Sequence, residues 1–126
     1  MGLINFYAAW IGIALGFVTG AVLGLFFHGE DWAGGYSSWR RRMMRLGHIS
    51  FFGLAFINIS YALSVKVYEL QVNDAVISWL FVIGAIAMPT VCFLSAYKKP
   101  FRHLFFIPVV SLVSGIGYFI FGGMIQ

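Results

Sequence analysis

Four long apolar runs organise the chain, at about residues 4–27, 46–65, 75–97 and 104–125, and none of them contains Asp, Glu, Lys or Arg. The charges gather at their borders. Arg45 precedes the second run and Lys66 follows it, Asp74 and Lys98 flank the third, and Arg102 stands before the fourth. A hydrocarbon core roughly 30 Å thick is crossed by about 20 helical residues, so every run is long enough to span it. Strands of a membrane barrel alternate apolar and polar positions in segments of about ten residues, and these runs do not alternate. The pattern predicts an all-α integral membrane protein, with four transmembrane helices in an antiparallel bundle forming one domain over residues 1–126. No basic segment precedes the first run, which also exceeds the roughly 7–15 apolar residues of a secretory signal. It reads as a retained span.

Composition sharpens this picture. The chain is 61% hydrophobic and 10% charged, against about 45–50% and 25% in soluble domains, and its mean hydropathy is +0.91. A net charge of +4 would invite nucleic acid only if the basic residues formed a separate face. They do not. Arg40, Arg41, Arg42 and Arg45 lie in the connection 28–45, and Lys98, Lys99 and Arg102 in the connection 98–103, leaving Lys66 alone in the second connection. Four spans place the first and third connections on one side, which therefore holds seven of the eight basic residues. By the positive-inside rule that side is cytoplasmic and both termini are not, as in a bacterial inner-membrane protein. Anionic lipid headgroups are the natural counter-charge for these clusters, as are carboxylates of a partner subunit. Nucleic acid is not an expected partner.

Within the first run, Gly12, Gly16, Gly20 and Gly24 recur every four residues. Four residues advance a helix by about 400°, so they form one slowly winding stripe, a glycine zipper on which another helix can approach closely. Its partner is either inside the chain, the second or fourth span, or another subunit. Ser60 and Ser64 offer a small-residue pair on the second span, and Ser111 and Gly115 one on the fourth. Pro89 and Pro108 interrupt the third and fourth spans, with Thr90 placed for local repair of the first, and Pro100 stops the third helix. Ser37 or Ser38 is positioned to cap a helix starting at Trp39 and running into the second span.

Candidate chemistry is sparse. Asn58 is the most costly intramembrane polar group, because its amide needs partners in hydrocarbon; another helix or a ligand such as a quinone supplies them. His28, His48 and His103 fall at similar depth near the cytoplasmic interface, where facing imidazoles are able to ligate a b-type haem. His28 with Glu30 or Asp31 suits a metal ion, while each histidine also suits a plain interfacial role. The single cysteine excludes a disulfide framework or a multi-thiolate zinc site. Small multidrug transporters have this size and span count but use a glutamate in their first span, and this span has none. Dual-topology fluoride channels need balanced flanking charge. The expected function is a non-catalytic accessory subunit without a cofactor, in contact with lipids and with other membrane subunits or copies of itself, as in an electron-transfer or photosynthetic complex. The alternatives are a haem b- or quinone-binding redox protein using the histidines, and a small homo-oligomeric channel or transporter.

Overall fold

The computed structural model describes residues 2–71 and 74–124. Helix α1 is Gly2–Phe26, α2 is Trp39–Val67, α3 is Asp74–Tyr97 and α4 is Phe106–Phe119. A 3-10 segment, Lys99–Phe105, leads into α4, and a π-helical turn, Ile120–Met124, follows it. Among the described residues there is no strand. At 1.5 Å per residue, α4 alone would be too short to cross a bilayer. With the flanking turns it becomes a continuous helical segment, Lys99–Gly122, and four helices are then long and apolar enough to span a membrane.

The ends follow local chemistry. Ser38 caps α2: its Oγ accepts from the Arg41 backbone N–H at 3.2 Å and donates to the Ala33 carbonyl at 2.8 Å. Ahead of it, Ala33, Gly34 and Gly35 all have positive φ, which folds residues 28–38 back over the end of the bundle. Pro100 sits in the first turn of the 3-10 segment, where a missing N–H costs no helical bond. Pro108 occupies the equivalent place in α4. It does not break the fourth span midway, because the helix changes from 3-10 to α just before it. Pro89 does lie inside α3. Thr90 makes a different bond from the repair expected of it: its hydroxyl donates to Ile86 O at 2.6 Å, one residue beyond the Ala85 carbonyl that Pro89 leaves without a donor. The fourth span is expected to end at Ile125, which lies outside the described residues.

Successive helices are antiparallel by register. Along α1, Gly2, Gly12, Gly16 and Gly20 face Ala62, Ala55, Phe52 and His48 of α2 in turn. Gly47 of α2 faces Cys92 and Phe93 of α3, and Gly84 of α3 faces Leu112 of α4. The four do not close into a ring. Helices α1, α2 and α3 pack mutually, whereas α4 packs on α3 and reaches α2 through Phe119, whose ring meets Tyr61 edge-on at 5.4 Å. Ser111 and Gly115 therefore serve α3, not α1: the Ser111 hydroxyl donates to Leu80 O at 2.6 Å, and Gly115 lies under Phe81. Leu54, Tyr61, Ile77, Phe81 and Leu112 form the apolar core shared by α2, α3 and α4.

Candidate functional site

One amide cluster ties the three mutually packed helices together. Asn5 on α1 and Asn58 on α2 are both fully buried. The Asn58 Nδ2 donates to Leu54 O at 2.9 Å and to Phe81 O at 3.3 Å. With Nδ2 held between two carbonyls, Oδ1 must face α1, where the Asn5 Nδ2 donates to it at 2.8 Å and to Ser78 O at 3.2 Å. Asn58 thus finds its partners within the chain. Asn5 stands near the edge of the first apolar run, and its sequence signal was a second amide within reach of a membrane span. Its Oδ1 has no hydrogen-bond partner among the described residues.

Below this knot, α1 and α3 separate and leave an apolar groove of about 560 Å³ floored by α2. Phe51 and Ala55 form its floor, Tyr7, Ile11 and Leu15 one wall, and Trp79, Ile86 and Phe93 the other. The floor is shallow at Gly12, where an added Cβ would lie 3.2 Å from both the Phe51 carbonyl and the Ala55 methyl. Further along, the stripe holds rings instead of backbone: a Cβ at Gly16 would lie 2.7 Å from the Phe52 ring, and one at Gly20 would lie 2.6 Å from His48 Cε1. Gly24 faces open space. The partner of Gly12, Gly16 and Gly20 is α2 of the same chain.

His48, half-buried, also meets Thr19. The Thr19 hydroxyl donates to Leu15 O at 2.8 Å and lies 3.2 Å from the His48 Nδ1, a contact that ties the imidazole of α2 to α1. His28 and His103 are exposed. Among the described residues, no three His, Cys, Asp or Glu side chains come together to hold a metal ion. The shared depth expected of the three histidines does not make them one cluster.

The basic residues divide into different roles. Arg41, expected with the others at the lipid or partner surface, is instead 2% exposed. Its Nη2 donates to Phe27 O at 3.2 Å and Gly29 O at 2.7 Å, closing the C-terminal end of α1, and its guanidinium lies over the Phe27 and Trp32 rings. Position explains the difference: at 100° per residue Arg41 faces α1, while Arg40 and Arg42 turn away. Arg40 Nε donates to Ala96 O at 3.2 Å, and the Trp39 indole donates to Ser95 O at 2.8 Å, so both close the end of α3. Trp39 thus both starts α2 and holds the end of α3. Arg42 and Lys99 lie over the Trp39 ring, Lys98 over Tyr97, and Arg45 over Tyr36 at 4.1 Å. Arg102 is exposed. The chain matches no known protein family, no curated protein and no solved structure.

Proposed function

We propose that this chain is a small integral membrane subunit whose groove between α1 and α3 receives an apolar helix of another membrane protein, with the basic connections cytoplasmic and both termini on the opposite side, as in a bacterial inner membrane. The observation that carries this reading is the groove itself. Its lining is almost wholly apolar, and Ala8, Gly12, Ala55 and Ala85 stand among its larger side chains as small residues on which a foreign helix can approach closely in lipid. The amide knot holds α1 and α3 at one end, so the gap keeps its shape without being filled. A photo-crosslinker at Ile86, in the groove, should trap a discrete protein partner in native membranes, whereas one at Val113, on the exposed face of α4, should trap only lipid. Equal, lipid-only adducts from both positions would contradict the proposal.

One observation favours a second reading, ligation of a b-type haem. Thr19 fixes the His48 ring through Nδ1, as an outer partner orients a metal-ligating histidine, and Nε2 would be the ligating nitrogen. A Soret band in the purified protein, abolished in His48→Ala, would support it. Its absence from protein purified under mild conditions would remove it.

A further inference from the structure

Arg41 and Arg45 are four residues apart near the start of α2, hence on one face of that helix, with Cβ atoms about 6 Å apart. Both side chains lie beneath the 28–38 connection: Arg41 lies over Phe27 and Trp32, and Arg45 lies under Tyr36. Each carries a buried N–H without a partner among the described residues, Nε of Arg41 and Nη1 of Arg45. Neither is paired with a carboxylate among the described residues, and the connection's own acids, Glu30 and Asp31, are exposed. A guanidinium buried at 2% exposure on two carbonyls and two ring faces has hydrogen bonds but no counter-charge. Buried cations are ordinarily paired, because desolvating a lone charge is expensive. The positive end of the α2 dipole adds to the same potential.

We propose that Arg41 and Arg45 form an anion site that takes a phosphate group, with Trp32 and Tyr36 as its hood. Phosphate fits because guanidinium forks present paired donors to its oxygens, and because the site stands at the depth where phospholipid headgroups lie beside an apolar helix bundle. The phosphate belongs either to a lipid headgroup or to free inorganic phosphate. Arg41 keeps Nη2 on α1, so ligand binding would also brace the end of α1 against α2.

The full-length protein, purified in a non-ionic detergent and phosphate-free buffer, is titrated separately with phosphatidylglycerol, inorganic phosphate and neutral diacylglycerol of the same chains while its thermal midpoint is followed. One of the two phosphate sources should raise the midpoint saturably, and diacylglycerol should not. Response to phosphatidylglycerol alone identifies a headgroup site, and an equal response to inorganic phosphate identifies a free-anion site. Arg45→Gln should weaken the response about tenfold or more, while Lys66→Gln, exposed at the opposite end of α2, should leave it unchanged. Arg41→Lys, which retains charge but loses the fork, should weaken it as well, and Arg45→Lys should recover part of it. No shift with either phosphate source, the same shift with diacylglycerol, or an unaltered response in Arg45→Gln would overturn the proposal.

Discussion

Asn58 contributes to three helices with one side chain, and its neighbours were chosen by hydrogen-bond arithmetic. Two carbonyls take its N–H groups and Asn5 takes its oxygen. Replacing it by Ala removes one of the two acceptors of the Asn5 amide and leaves a void, so Asn58→Ala should lose about 1–2 kcal/mol in a detergent-unfolding titration. The double variant Asn5→Ala/Asn58→Ala should lose less than the sum of the single variants. Additive losses would mean the two amides do not act together. Asn58 was legible in the sequence as a polar group that must find a partner, but the identity of the partner was not, because it depends on which faces of α1 and α3 turn inward. The same limit explains Arg41. Within Arg40–Arg42 the three charges look equivalent along the chain, and only the rotation of α2 separates the buried one from its neighbours. At Ala33, φ is 55°, in the left-handed region that penalises a Cβ. Ala33→Gly should therefore raise stability by up to about 1 kcal/mol, measured in the same titration; a loss would show that its methyl contributes more than its backbone costs.

At the scale of elements, the four-residue stripe of α1 is one motif with three different uses. Gly12 admits backbone, Gly16 and Gly20 admit the rings of Phe52 and His48, and Gly24 admits nothing. Substitution by Leu should follow that order of surroundings. Gly12→Leu should cost more than about 2 kcal/mol, since α2 backbone cannot yield as a ring can, whereas Gly24→Leu should stay within about 0.5 kcal/mol. Equal costs at the two positions would place α1 differently. The existence of the helices was readable from uninterrupted apolar runs, and the start of α2 at Trp39 from the serine pair before it, although spacing did not choose between Ser37 and Ser38 as the cap. The partner of the stripe was not, because small-residue pairs also occur on α2 and α4, and sequence spacing does not say which helix lies beside which. Nor did it foretell that Trp39 and Arg40 would close the end of α3. Trp39→Phe removes the indole donor to Ser95 O and should cost about 1 kcal/mol by thermal unfolding. No measurable change would mean that carbonyl is satisfied elsewhere.

For the whole molecule, the asymmetry of the arrangement matters most. Three helices share an amide knot, the fourth leans on α3, and a groove remains between α1 and α3. A closed four-helix bundle would leave no such opening, and composition alone does not distinguish the two, since a run of apolar residues is compatible with either. The groove, the arginine face and every proposed partner depend on one property: the connections 28–38 and 98–105 must share one side of a membrane, and the α2–α3 connection must lie on the other. Single cysteines placed at Tyr36, Lys99 and Glu69, in a Cys92→Ser background, test this directly with a membrane-impermeant thiol reagent added to intact cells. Glu69→Cys should be labelled from outside, and Tyr36→Cys and Lys99→Cys only after the membrane is opened. Labelling of Tyr36→Cys in intact cells, or opposite behaviour of Tyr36→Cys and Lys99→Cys, would contradict the account.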